Sequence, residues 1–194
     1  MNKKKLTFDL DNVIFDMKPL YRTAFRRAGV PYVKPTSWDL NEAYTNKTVV
    51  NNLLELFGDD MLYQMPVLDK NIPYILNNLL KNPAYDILFV TERMHKQPAK
   101  TFNQLRGAGI NCSYNQVVDK DGLKSDILKE LQPTMHFDDG PLVVGGCLDK
   151  GVPVTMISNG HTLYNHHLRN RVQYYDTLQR ALIANGFYNP QHIR

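Results

Sequence analysis

A chain of 194 residues and 22.4 kDa is long enough for one well-buried domain, or one domain carrying an insertion, and too short for two of full size. Hydrophobic residues at 43%, charged residues at 22%, and 11 Gly with 11 Pro are ordinary globular values, which excludes disordered, collagen-like and mucin-like chains. A formal charge of +4 and a pI near 9.0 favour an anionic partner such as a phosphate, a nucleotide or nucleic acid, although the excess is small for a dedicated DNA-binding domain.

Cys112 and Cys147 form neither a disulfide framework nor a CxxC motif, which suits a reducing compartment. The basic start MNKKK leads into an apolar run that Asp9 and Asp11 interrupt, so it does not read as a signal-peptide core. No stretch approaches the roughly 18 apolar residues of a membrane helix. The expectation is a cytoplasmic chain without a membrane partner.

In chain order, Lys5 to Leu10 reads as a short buried strand. Leu20, Tyr21, Ala24, Phe25 and Ala28 then recur at helical spacing, with Gly29 and Pro31 as stop signals. From Pro31 to Pro83 the pattern is helical throughout, with one helix marked by Val49, Leu53, Leu54, Leu56 and Phe57 and another by Ile72, Ile75, Leu76, Leu79 and Leu80. Ile87 to Val90 form a second continuous apolar run. It ends at Thr91 and leads into a basic helical segment closed by Gly107 and Gly109. Further short runs lie at Gln116 to Val118, Met135 to Phe137 and Val152 to Ile157. Helical patterns around Leu123 to Leu131 and Leu142 to Cys147 separate them, and Tyr174 to Asn185 reads as a closing helix. Strands alternating with helices predict an α/β fold with a parallel sheet covered on both faces. The core is expected from residues 1–16 and 83–194, with roughly five strands, and residues 17–82 as an all-helical insertion after the first strand.

In such sheets ligands gather at the carboxyl ends of the strands. The first strand ends in Asp9-Leu10-Asp11-Asn12-Val13, and two carboxylates two residues apart on extended backbone project to the same side. The second ends in Thr91, Lys124 precedes a helix, and the fourth ends in Asp138-Asp139-Gly140. Each has a plainer reading: Thr91 as a helix cap, Lys124 as a solvated lysine with Lys120 as its rival, and Asp138 with Asp139 as a turn pair.

The ordered series apolar-DxDxV, apolar-Thr, Lys before a helix and apolar-Asp-Asp resembles the signature motifs of the haloacid dehalogenase superfamily of phosphohydrolases. That resemblance implies a Rossmann-like core, Asp9 as nucleophile, and the helical insertion as a cap. The residue types suit the chemistry, because a carboxylate can attack phosphorus only when positive groups neutralise the phosphoryl oxygens. Mg²⁺ would supply that charge, bound by Asp9, the main-chain oxygen of Asp11 and Asp138, with Asp139 positioning metal-bound water. Asp9 would form an aspartyl-phosphate, and Asp11 would act first as acid and then as base. Thr91 would donate to a phosphoryl oxygen, and Lys124 would neutralise the nucleophile and the transferring group.

The segments DLDNVIFD, PTSWDLNEAY around Trp38, FDDG and ISNGHTLYNHHLRNRVQYYDTLQRAL together resemble the 5′(3′)-deoxyribonucleotidase family. This implies a nucleoside monophosphate as substrate, with Trp38 against the base; cap-core packing is its plainer role. Asn12 stands where the family has Gly, Met17 where it has an aromatic, and Glu92 where it has a small residue, which leaves base and sugar preference open. Arg93, with His95, Lys96 and Lys100, is a candidate contact to substrate phosphate or ribose, against the alternative of a solvated helix face. His161, His166 and His167, near Arg169 and Arg171, lack the carboxylate or cysteine pattern of a transition-metal site. The expected partner is a small phosphorylated molecule, with no stable nucleic-acid complex and with a homodimer left open. The competing readings are a polynucleotide 3′-phosphatase with a more open cap, and a catalytically idle relative that binds nucleotide or protein.

Overall fold

The computed structural model describes residues 3–158, 168 and 170–190. The first strand, β1 (Lys4–Phe8), is followed by α1 (Lys18–Arg27), α2 (Leu40–Ala43), α3 (Lys47–Gly58), a 3₁₀ turn (Asp60–Gln64) and α4 (Ile72–Lys81). The chain then alternates through β2 (Tyr85–Val90), α5 (Pro98–Gly107), β3 (Val117–Val118), α6 (Lys124–Leu131), β4 (Met135–Asp138), α7 (Pro141–Asp149), β5 (Val154–Ile157), β6 (Gln173–Tyr175) and α8 (Leu178–Ala184).

All strand pairs are parallel, in the order β3-β2-β1-β4-β5-β6. The chain therefore winds outward from β1 in one direction and then, from β4, in the other. The crevice between the carboxyl ends of β1 and β4 is the topological switch point, where α/β sheets bind ligands. Alternation along the strands feeds two buried clusters: Phe89 joins Phe8 and Phe137 in one, while its neighbour Val90 joins Val154, Met156, Leu128 and Val144 in the other. Phe8 stacks on Phe137 across the switch point at 5.1 Å between ring centroids, which fixes β1 against β4 directly beneath the crevice.

Among the described residues the sheet has six strands, one more than the apolar runs suggest. The extra strand, β6, overlaps the start of the segment that reads as a closing helix. Its Gln-Tyr-Tyr run carries the β propensity, and Thr177 starts α8 only afterwards, its side chain accepting from the Arg180 amide. Between β1 and β2 the chain forms helices, as the spacing there predicts. Asn46 caps α3 by accepting from the amides of Thr48 and Val49, and α1 packs on α3. Helix α4 instead packs on β2 and α8, so the stretch between β1 and β2 supplies part of the layer over the sheet. Among the described residues no helix is long and apolar enough to cross a membrane.

Candidate active site

Asp9 follows the last residue of β1, and Asp138 ends β4. Lys124, the first residue of α6, joins them: its Nζ lies 2.6 Å from Asp9 Oδ1 and 3.0 Å from Asp138 Oδ2. All three side chains are buried. Asp139 completes a group in which carboxylate oxygens of Asp9, Asp138 and Asp139 lie within 4.8 Å of one another. Thr91, buried beyond the end of β2, holds its loop in place by donating its backbone N–H to the Val118 carbonyl at 3.1 Å. These residues line one cavity of about 360 Å³ together with Asp11, Asn12, Arg93 and Trp38. Lys120, the rival lysine, is exposed.

One ammonium serves three buried carboxylates, and the charge balance shows in their acidities. Burial pushes the Asp9 carboxyl up to about 7, with Asp138 and Asp11 adding to the rise and Lys124 opposing it. Burial, Asp9 and Asp138 likewise hold Asp139 well above the carboxylate range. Against the same cost of burial, Lys124 and His136 keep Asp138 down at about 2. One ammonium shared by Asp9 and Asp138, with none paired to Asp139, leaves the ionised cluster with a surplus of negative charge. Three clustered oxygen donors with a surplus of negative charge fit a hard divalent cation such as Mg²⁺.

The loop after β1 turns sharply, with the amides of Ile14 and Phe15 both donating to the Leu10 carbonyl. Asn12 occupies the left-handed region at φ 59°, which accounts for a residue position that Gly otherwise favours and that Asn tolerates. Its side chain opposes part of the rise in the Asp139 carboxyl, so the departure from Gly bears on the electrostatics of the site.

Arg93 departs from the solvated-face reading. Residues 91–97 form a loop, and α5 begins only at Pro98. Arg93 is 4% exposed; its Nε and Nη2 donate to the two carboxylate oxygens of Asp11 at 3.1 and 2.6 Å, and its Nη1 donates to Gln104 Oε1 at 2.9 Å. The guanidinium also lies 5.0 Å from the centre of the Tyr63 ring. This bidentate fork fixes Asp11 at the cavity edge. Lys96 and Lys100 pair with Asp119 and Asp60. Arg171 pairs with Asp149, whereas His161, His166, His167 and Arg169 lie outside the described residues.

Trp38 is 38% exposed and its indole rests over Gly140, where an added Cβ would sit 3.3 Å from Trp38 Cζ2 and 3.0 Å from Asp138 Oδ1. Gly140 thus permits Trp38 to approach the end of β4. Two further residues escaped the sequence reading. Tyr21, taken as core, lines the cavity with Met17 one helical turn earlier; burial and then Asp139 push its hydroxyl above its ordinary value, so it stays a neutral phenol. His136 sits two residues before Asp138 on β4, hence on the same side of the strand, and its Nε2 is 2.9 Å from Asp138 Oδ2. That spacing is the signal that could have found it.

No protein-family model matches the sequence, and no curated protein does. Solved structures do match over almost the full length. A haloacid dehalogenase-like hydrolase from Streptococcus pneumoniae has a TM-score of 0.64 at 15% identity, covering 96% of this chain and 99% of that one. A predicted phosphatase from Clostridium acetobutylicum has a TM-score of 0.61 at 16% identity, covering 95% and 98%. A HAD-hydrolase from Bacillus subtilis, solved bound to magnesium, has a TM-score of 0.58 at 14% identity, covering 96% and 100%. The fold of this chain is therefore that of the haloacid dehalogenase-like hydrolases.

Proposed function

We propose that the chain is a Mg²⁺-dependent phosphomonoesterase that dephosphorylates nucleoside monophosphates through an aspartyl-phosphate on Asp9. The observation that carries this reading is Lys124 bridging Asp9 and Asp138 at the switch point, with Thr91, Asp11 and Asp139 around the same cavity. A binding module has no use for a buried nucleophile beside a second, partly exposed carboxylate. The fold neighbours support the reaction class, since they include a predicted phosphatase and a magnesium-bound hydrolase.

Asp9, Asp138, the main-chain oxygen of Asp11 and, through water, Asp139 would hold the metal, which supplies the positive charge that lets a carboxylate approach a phosphate. A carboxylate oxygen of Asp9 attacks phosphorus, and the bond from phosphorus to the ester oxygen breaks. Asp11 gives its proton to the departing alkoxide. Water then attacks the phospho-enzyme, Asp11 takes the proton back, and the Asp9–phosphate bond breaks to release inorganic phosphate. Lys124 and the Thr91 hydroxyl stabilise the charge on the transferring group. Arg93 aims Asp11, so we assign it to the acid/base residue and not to a substrate phosphate.

The substrate reading rests on the cavity wall. Trp38, Met94 and Leu142 expose apolar surface around its mouth, which suits a flat nucleobase. Among the described lining residues the only cations are Lys124 and Arg93, and carboxylates engage both, which supports one phosphate and not two or three. A phosphate-release screen with Mg²⁺ over nucleoside mono-, di- and triphosphates, sugar phosphates and 3′-phosphorylated oligonucleotides tests this. Nucleoside monophosphates are expected to lead. Preference for oligonucleotides would favour a polynucleotide phosphatase, and no release from any substrate would favour a binding relative.

A further inference from the structure

We propose that His136 is a positioning residue for Asp138, holding that carboxylate in metal-binding orientation through a buried Thr7–His136–Asp138 hydrogen-bond line. The inference rests on the phosphatase reading and extends it to residues outside the cavity lining.

The line follows from sheet register. Thr7 on β1 is the Cα partner of His136 on β4, and His136 and Asp138 are two residues apart on the same strand, so all three side chains fall on one side. The Thr7 Oγ1 lies 2.9 Å from His136 Nδ1, and His136 Nε2 lies 2.9 Å from Asp138 Oδ2. Thr7 and His136 are wholly buried, and Asp138 is 1% exposed. Water therefore cannot replace either contact, and a partnerless imidazole would be costly here.

Chemistry sets the direction of the line. An ionised carboxylate only accepts, so Nε2 carries the hydrogen that faces Asp138. On its other side the ring is anchored by Thr7, whose hydroxyl and carbonyl oxygens lie 2.9 and 3.2 Å from Nδ1. Thr7 thereby fixes the ring orientation from which Nε2 faces Asp138. Asp138 Oδ1 accepts in turn from the Gly140 amide at 2.7 Å, while Lys124 shares Oδ2 with His136. Lys124 also binds Asp9 and responds to whatever reacts there. His136 and Gly140 are the contacts to Asp138 that the reaction leaves unchanged, so they keep it in place as charge is redistributed.

The test is calorimetric titration of Mg²⁺ into the full chain, with folding of each variant checked by circular dichroism. His136→Leu should weaken Mg²⁺ binding roughly 10- to 100-fold, the range typical of lost outer-shell partners. His136→Gln, which keeps an N–H donor and an acceptor, should recover most of it. Thr7→Val, of matching shape, should weaken binding less than His136→Leu. In the native chain, ¹⁵N chemical shifts should show His136 protonated at Nε2, and Thr7→Val should shift the ring signals. If His136→Leu does not fold, His136→Gln and Thr7→Val decide. Unchanged Mg²⁺ affinity in His136→Leu, or a native chain in which His136 Nε2 carries no proton, overturns the proposal alone. A native chain that binds no Mg²⁺ overturns it together with the metal-dependent reading.

Discussion

Replacing Asp9 by Asn should abolish turnover and, in the absence of metal, make the protein more stable. Asp9 is buried and shares a single ammonium with Asp138, and its carboxyl rises from 3.8 to about 7. A rise of roughly three in pKa corresponds to about 4 kcal/mol between the two protonation states, an upper bound once local relaxation and water entry are allowed for. The sign follows from linkage: the native state binds the proton more tightly than the unfolded chain, so stability falls as pH rises from about 4 through 7. Asn keeps the shape and still accepts from Lys124 but carries no charge. Urea unfolding in EDTA at pH 8 should therefore show Asp9→Asn more stable than the native chain by about 1–4 kcal/mol, the gap narrowing as pH falls toward 5. Mg²⁺ at a hundred times its dissociation constant adds about 2.7 kcal/mol to a protein that binds it only when folded. It should help the native chain more than the variant, which lacks one ligand. An Asp9→Asn protein less stable than native in EDTA at pH 8, or a gap that widens at low pH, would refute the argument that this crevice holds uncompensated charge.

Asp11→Asn should slow hydrolysis of a nucleotide far more than formation of the phospho-enzyme from an activated aryl phosphate, because a phenolate departs without protonation; rapid-quench kinetics on both substrates checks this, and equal losses would assign Asp11 elsewhere. Arg93→Met removes the fork on Asp11 and leaves Gln104 Oε1 without its donor, so kcat for nucleotides should fall while KM changes little, with Arg93→Lys recovering only part. Trp38→Ala should cost nucleotide turnover roughly 1–3 kcal/mol in kcat/KM, while ribose 5-phosphate loses much less; similar losses for both, with a lowered Tm, would make Trp38 a packing residue.

The strand ends were legible because motif and topology coincide there. Asp9, Thr91 and Asp138 each close an apolar run, and the parallel order brings those ends together. Lys124 needed the fold, since nothing in its local sequence distinguishes a lysine at the start of α6 from Lys120 four residues earlier. The strand β6 was hidden because Tyr174 and Tyr175 suit both a strand and the apolar stripe of the helix that follows. Arg93 stays open in the sequence between a substrate contact and a solvated face for a related reason: basic residues before a helix pattern look solvated, and only the long-range contact to Asp11, 82 residues away, shows the charge to be buried. His136 was overlooked because the sequence shows its spacing to Asp138 but not the cross-strand hydroxyl of Thr7 that orients it.

The central claim is that Asp9 becomes phosphorylated. It is tested most directly by mixing the protein with Mg²⁺ and a nucleoside monophosphate, quenching within one turnover, reducing with borohydride and mapping the chain by mass spectrometry. The account predicts conversion of residue 9 to homoserine, dependent on both substrate and Mg²⁺ and absent from Asp9→Asn. Phosphate release with residue 9 unmodified, or modification of a different carboxylate, would contradict it.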